Sequence, residues 1–363
     1  MKKDKEAMIK LLGKTPDELK AIAVSAGLPA FTGKQIAQWL YQKKVRTIDE
    51  MTNISKAGRE KLKENYEVGV APILDCQKSV DGTKKYLFPV SCTHRHGLNL
   101  SDGAADLETS SIEAVMIPDD DRKTLCVSSQ AGCKMGCRFC MTGRQGFHGN
   151  LSAGDIISQF ISVDESDSLT NTVFMGMGEP LDNYENVKRA IDILTADWGF
   201  GWSPKRITLS SIGVLPNLRK FLDETRCHLA ISMHDPFPEE RGKMMPVQNS
   251  YPIEDVIDLI RQYDFSGQRR VSFEYTMFSG FNDDKVHADA IIRLLRGLEC
   301  RVNLIRFHKI PDFPYDTTAD GIMENFRDRL SRAGITATIR ASRGEDIYAA
   351  CGMLAGEHEE NKQ

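Results

Sequence analysis

The sequence contains no apolar run approaching the ~20 residues that cross a bilayer, which argues against a helical membrane protein. Its opening, MKKDKEAMIKLLGK, has lysines but no long apolar stretch and no small-residue cleavage site, so no secretory leader is expected. It has no internal repeat and no low-complexity tract, which argues against a solenoid or a disordered linker. Strong charge of one sign is also lacking: 47 Lys and Arg stand against 51 Asp and Glu, so the total does not announce a nucleic-acid binder. The acidic residues gather partly in 102–121 and at the C-terminal tail. Cysteine is too scarce for a disulfide scaffold, with nine in 363 residues and three of those in one short motif. That usage fits a reducing, cytoplasmic setting. The remaining composition is ordinary for a globular chain of this length, which holds one large domain and a smaller companion.

The three clustered cysteines sit in 132-GCKMGCRFCMTGRQGF-147, a glycine-rich stretch that reads as a loop with Cys133, Cys137 and Cys140 in C-x3-C-x2-C spacing. Three thiolates this close repel one another unless a cation gathers them, and ordinary core cysteines rarely cluster in loops. A closed zinc site takes four protein ligands, and a ferredoxin-type cluster shows a fourth cysteine. No fourth is evident here. Three ligands describe a 4Fe–4S cluster with one iron open to a substrate.

Residues 1–67 read as a helical accessory domain, with helices expected over Asp17–Ala26, Lys34–Lys43 and Lys56–Asn65. Between Thr32 and Glu64 eight Lys and Arg face four Asp and Glu, which suits RNA contact or a solvated helix face equally. Residues 68–123 form a β-rich extension in which 70–117 alternate apolar and polar positions around a hairpin signal at Asp81-Gly82, giving two or three antiparallel strands. Glu113 lies in the last of these, where the default reading of a strand glutamate is solvent-facing. Over 124–345 strands are expected at 124–129, 171–175, 206–210, 228–233, 271–277, 301–306 and 336–340. Helical periodicity falls between them, as in Ala153–Ser162, Val187–Thr195, Ile253–Tyr263 and Ala288–Leu298. The fold class is therefore α/β, a partial (β/α)6 barrel with chemistry at the C-terminal ends of its strands. Residues 346–363 form a C-terminal segment.

Several polar residues fall at those strand ends. Gly178 and Glu179 lie in 175-MGMGEP-180, Ser210 ends TLS, Ser232, Met233 and His234 form SMH, and His308 sits in NLIRFHKIP. Each alone reads as an ordinary strand terminus; together they outline one ring of ligand contacts. Cys126 lies on the first barrel strand and Cys351 in GEDIYAACGMLAG after the last, while Cys76, Cys92, Cys227 and Cys300 read as small buried hydrophobes.

The cysteine spacing, with Phe139 just before the last cysteine, resembles the signature of radical S-adenosylmethionine (SAM) enzymes. LCVSSQ-x2-C-x3-C-x2-C, GMGEPL-x-N, SPKRITLS, LAIS-x-H, VNLIRFH and RGEDI-x-AACG, with the N-terminal FTGKQIAQWLY, together resemble the RlmN-type adenine carbon-2 methyltransferases over nearly the whole chain. The resemblance implies 23S rRNA (peptidyl-transferase centre) and tRNA as substrates and an electron donor such as flavodoxin or ferredoxin. It also implies one 4Fe–4S cluster on Cys133, Cys137 and Cys140, and two SAM per turnover. By the same likeness Gly178, Glu179, Ser210, Ser232, Met233, His234 and His308 contact SAM. Cys351 carries a methyl group, loses a hydrogen atom from it and forms a covalent adduct with the RNA. Cys126 resolves that adduct through a disulfide with Cys351, and Glu113 matches the proton acceptor. Polar methyl transfer fails at the electron-poor carbon 2, so such a route is chemically needed.

Two departures stand out. His308 replaces the Asn of many members, and 210-SSIG-213 puts Ile212 where a hydroxyl is usual. The nearest rival reading is the sister family that methylates carbon 8 and confers antibiotic resistance, against which stand Pro180 and Arg343-Gly344-Glu345. A rival of another class is a non-catalytic Fe–S or zinc RNA-binding module, which needs neither Cys126 nor Cys351 nor the Gly-Glu segment.

Overall fold

The computed structural model describes residues 8–93, 107–267 and 269–355; the acidic C-terminal tail and part of the acidic 102–121 stretch lie outside them. Near the N-terminus β1 (Ile9–Lys10) precedes α1 (Pro16–Ser25), α2 (Thr32–Ala37), α3 (Lys56–Lys63) and β2 (Tyr66–Glu67), with β1 and β2 paired in parallel. The start of α1 is fixed by local chemistry: Thr15 and Glu18 form a reciprocal capping box and Pro16 occupies the first turn. A π-helical turn over Gln38–Gln42 continues α2.

β3 (Asp75–Lys78), β4 (Lys84–Thr93) and β5 (Leu107–Asp119) run antiparallel, with Asp81 and Gly82 in the first turn as expected. Next come β6 (Arg122–Cys126), β7 (Gln130–Gly132), α4 (Met141–Arg144), β8 (Phe147–Asn150), α5 (Ala153–Ser162), β9 (Asn171–Phe174) and α6 (Tyr184–Thr195). The chain then alternates through β10 (Ile207–Ser211), α7 (Leu215–Glu224), β11 (His228–Ser232), α8 (Pro238–Met244), α9 (Ile253–Ile260) and β12 (Val271–Met277). It finishes with α10 (Lys285–Leu294), β13 (Arg301–Arg306), α11 (Asp320–Arg332) and β14 (Thr336–Ile339).

The main sheet has ten strands in the order β14-β13-β12-β11-β10-β9-β6-β5-β4-β3. The seven from β14 to β6 are parallel, and six helical crossovers join them. This is the expected partial barrel: β6 pairs with β9 on one side and antiparallel β5 on the other. The β-rich extension is thus the edge of the barrel sheet, and its Tyr86, Phe88 and Ile112 belong to the same core as Phe174, Leu209 and Phe273. Parallel strands covered by helices read as apolar runs because both faces are buried.

The accessory helices dock on α5 and α6. Lys10 pairs with Asp155 at 3.2 Å, Arg189 with Glu18 at 2.8 Å, and Arg46 donates to the carbonyls of Ile161 and Ser162. A Cβ on Gly13 would lie 2.4 Å from the Gly154 nitrogen, so the two backbones touch through glycines. This docking engages Arg46 and Lys44 of the basic stretch read from the sequence, while Lys63 is paired within the accessory domain itself. Lys44 donates to the Ser166 carbonyl and pairs with Asp167, and Lys63 pairs with Asp49 and Glu60.

Candidate functional site

β6 ends at Cys126 and the chain turns into the small β7–β8 ribbon, which brackets the loop of Cys133, Cys137 and Cys140. The loop is held by its backbone: Cys133 N–H donates to the Gly146 carbonyl at 2.7 Å and Cys140 N–H to the Cys137 carbonyl at 3.1 Å. Gly132 has φ of 71°, and a Cβ there would meet the Gly146 oxygen at 2.0 Å, so this position requires glycine. All three cysteines line one cavity with Gly178, Glu179, Ser210, Ser232 and His234.

The donor set fits a polynuclear cluster. Burial, and for Cys137 also the proximity of Cys140 and Cys133, pushes its thiol well above the ordinary range; burial alone dominates for Cys133, pushed up to about 12. Thiolates here need a cation to gather them. A closed structural zinc site takes four protein ligands, whereas these three cysteines face a cavity open to a further ligand. Cys133, Cys137 and Cys140 would hold the 4Fe–4S cluster, which supplies one electron to SAM.

Glu179 sits in the cavity wall at 3% exposure, with its carboxylate accepting from Leu181 N–H at 2.9 Å and Ile212 N–H at 3.0 Å. Ile212 therefore serves through its backbone. Burial pushes Glu179 up to about 7, against the lowering effect of these bonds. A cationic amino group entering the cavity favours the carboxylate. Well below pH 7, SAM binding should release about 1 proton, measured by calorimetry in buffers of different ionisation enthalpy, and Glu179→Gln should abolish the release. An unchanged proton count in that variant would place the ammonium elsewhere. Stability moves oppositely. The folded pKa lies above the unfolded one, so this contribution is complete below the ordinary glutamate range and disappears as pH rises through about 7.

His234 is buried and adopts a left-handed backbone with φ of 56°. Burial, followed by the nearby Arg241, lowers its pKa to about 3, so the ring is neutral. Its Nδ1 accepts from Thr276 N–H at 3.0 Å, which leaves the proton on Nε2. The ring meets Phe139 edge-on at 4.9 Å. Arg241, fully buried, donates to the carbonyls of Ser232 and Met233 and fixes this strand end.

Two residues expected to contact SAM do not line this cavity. Met233 is fully buried in the core and does not line the cavity, because side chains alternate along β11 and its extension and Ser232 takes the inner face. His308 lies in a neighbouring cleft, with Nε2 3.0 Å from Ser342 Oγ and Nδ1 3.3 Å from Glu345.

Cys351 and Ile305 line both the SAM-side cavity and that cleft. The Cys351 segment is tied down on both sides. Gly344 N–H donates to Asp81 at 3.0 Å, Asp346 accepts from Ser79, Met141 N–H donates to the Gly352 carbonyl, and Thr142 donates to the Leu354 carbonyl. Cys351 is open to solvent as a residue, yet the protein packed around its sulfur raises the thiol's pKa, against the lowering effect of Arg340. Cys126 is pushed up to about 12 by burial first and then by Cys351, so the two thiols share one neighbourhood. The cysteines among the described residues are all free, and the Cys92 side chain lies outside the described residues. Of the supposed core cysteines, Cys227 is buried, Cys300 is half-buried, and Cys76 is exposed because β3 is the sheet's edge strand.

Glu113 is not solvent-facing. It is 2% exposed, pairs with the equally buried Lys85 at 3.3 Å, and accepts from Ala355 N–H at 2.8 Å, four residues beyond Cys351. It lines neither cavity. Glu113→Ala should cost about 3–5 kcal/mol by stranding the Lys85 charge. In denaturant unfolding the pair Lys85→Met with Glu113→Leu should recover most of that loss, while methylation stays low because Ala355 has lost its acceptor. Recovery of both would make Glu113 a structural residue only.

The sequence reading missed Glu274 and Arg340. Glu274, 2% exposed, lines the SAM-side cavity and Arg340 lines the cleft, and the two pair at 3.6 Å beside Cys351. The alternation of Ser272, Glu274 and Thr276 along a buried strand was the available signal.

Comparison with known proteins agrees with this geometry. Residues 127–290 match the model of the radical SAM superfamily, and residues 9–68 match the ribosomal RNA large subunit methyltransferase N-terminal domain. The chain is 54% identical over 358 residues to a Porphyromonas gingivalis protein named "Probable dual-specificity RNA methyltransferase RlmN", covering 99% of this chain and 97% of the relative. It is 39% identical over 350 residues to the "Dual-specificity RNA methyltransferase RlmN" of Syntrophus aciditrophicus, covering 95% and 96%. The crystal structure of a radical SAM methyltransferase from Sphaerobacter thermophilus superposes with a TM-score of 0.87 at 35% identity, covering 96% of this chain and all of that one. A cysteine-lined cavity at the strand ends of a partial barrel, matched along nearly its whole length, places this chain in the RlmN family of radical SAM methyltransferases.

Proposed function

We propose that the protein methylates carbon 2 of an adenosine in 23S rRNA and in tRNA, consuming two SAM per turnover, with Cys351 as methyl carrier. The observation that carries this reading is the position of Cys351 at the junction of two cavities of different chemistry. One is lined by the three loop cysteines and Glu179 and suits SAM. The other is lined by Arg122, Lys205, Arg206, Arg270, Arg306, Arg340 and Arg343 against a single carboxylate, Asp119, and suits a polyanion. In this reading Cys351 takes a methyl group on the first side and delivers its carbon to a base on the second. Cys126 waits alongside to release the product, and an electron donor such as flavodoxin or ferredoxin acts from outside.

The cleft is favoured over the accessory helices as the RNA site because Cys351 lines it and no residue of those helices does. Among the described residues, Lys205, Arg206 and Arg270 have no carboxylate partner, unlike Arg122, Arg306 and Arg343. Reversing Lys205, Arg206 and Arg270 to Glu should weaken RNA binding by more than about tenfold at low salt and flatten its salt dependence by up to about three phosphate contacts. SAM binding should be unchanged. An unaltered salt slope would show that RNA does not use this cleft.

A further inference from the structure

A second cluster of ligand-type side chains lies just outside the SAM-side cavity, on the loop after β11, the first turn of α8 and the first turn of α10. We infer that Asp235, Glu240 and His287 form a binding site for a divalent first-row cation such as Mn2+ or Zn2+. The ligand atoms lie within 4.8 Å of one another. His287 Nε2 is 3.3 Å from Glu240 Oε2 and 3.8 Å from Asp235 Oδ2. Ligands each ~2.1 Å from one ion lie about 3.0–3.4 Å apart at octahedral to tetrahedral angles, so little movement closes the set.

Two features separate this group from a chance gathering of acids. Asp235 is 1% exposed, and its Oδ2, facing His287, has no hydrogen-bond partner. Its other oxygen accepts from Phe237 N–H at 2.8 Å, so the side chain is held with one oxygen unspent. A buried carboxylate oxygen left so is costly without a cation. The second feature is the imidazole's orientation. His287 Nδ1 lies 2.7 Å from Asp284 Oδ1, and Asp284 also caps α10 by accepting from the His287 N–H. That contact puts a proton on Nδ1 and turns Nε2 toward the other two carboxylates, the carboxylate–histidine arrangement of metal sites.

Three carboxylates surround one imidazole, and a single proton on Nε2 can bridge at most one of the two facing it. Arg241 follows Glu240 but spends its guanidinium on the carbonyls of Met233, Ser232 and Ile212 and on Gln248. Phe237 packs edge-on against the His287 ring at 5.0 Å, and the half-exposed Glu240 is the way in. One nitrogen and two carboxylate oxygens suit Mn2+ or Zn2+, with water completing the shell. The ion would tie α8 and α10 to the strand end that carries Ser232 and His234.

The test is a Mn2+ titration of the full chain carrying its oxidised iron–sulfur cluster, anaerobically, following the paramagnetic resonance signal of free Mn2+. Wild type should hold one Mn2+ per chain that Zn2+ displaces. Glu240→Gln, a half-exposed change that spares folding, should lose it, and Asp284→Asn should weaken it about 10–100-fold through the imidazole. Equal binding by wild type and Glu240→Gln, or no retention by wild type at millimolar Mn2+, would overturn the site. Either result would indicate an imidazolium bridging the carboxylates. None of these readings depends on methyl transfer.

Discussion

Cys126→Ala is expected to trap the protein covalently on its RNA. Cys126 closes β6, is 8% exposed, and shares its surroundings with Cys351. Unlike Cys351 it lines neither cavity, so it is not placed to take the methyl group. In the proposed route, removing it spares methyl loading on Cys351 and the attack on the base, and blocks only release. The expected readout is a nuclease-sensitive band shift on a denaturing gel, with turnover lower by at least about 10³-fold. Cys351→Ala should give neither adduct nor methyl on the protein. If Cys126→Ala turns over normally, or if the adduct maps to another residue, the assigned roles are wrong.

Alanine at Cys133, Cys137 or Cys140 should each remove iron and abolish methylation while leaving the fold intact. The loop is held by backbone bonds, from Cys133 N–H to Gly146, Cys140 N–H to Cys137 and Met141 N–H to Gly352, which alanine keeps. Cys140 precedes α4 without a side-chain cap bond, so that helix loses nothing. Each change should therefore cost no more than about 1 kcal/mol in the iron-free protein. Iron analysis with thermal unfolding separates the two effects. Full iron in any one variant would contradict three-cysteine ligation.

The barrel was legible because its strands and helices carry strong periods: α5 was read at its observed limits, and all seven parallel strands were anticipated within a few residues. The cluster loop was legible because its spacing is local. Side-chain direction was not. Met233 sits between two cavity-lining residues yet faces the core, and Glu113 looked like any strand glutamate until Lys85 and Ala355 closed over it. Arg340 and Glu274 are 66 positions apart and meet only because β12, β13 and β14 are neighbours in the sheet. Asp235, Glu240 and His287 likewise come together only through the docking of α8 and α10. Such groups depend on register and helix packing, which a linear pattern does not contain.

The most direct test is nucleoside mass spectrometry of 23S rRNA and tRNA incubated with the purified, cluster-loaded protein, SAM carrying a deuterated methyl group, and a reductant. Transfer through a carrier cysteine that first gives up one hydrogen predicts 2-methyladenosine whose new methyl retains only two of the donor's three deuteriums. Methyl at carbon 8, a methyl group retaining all three deuteriums, or no modified adenosine at all would contradict it.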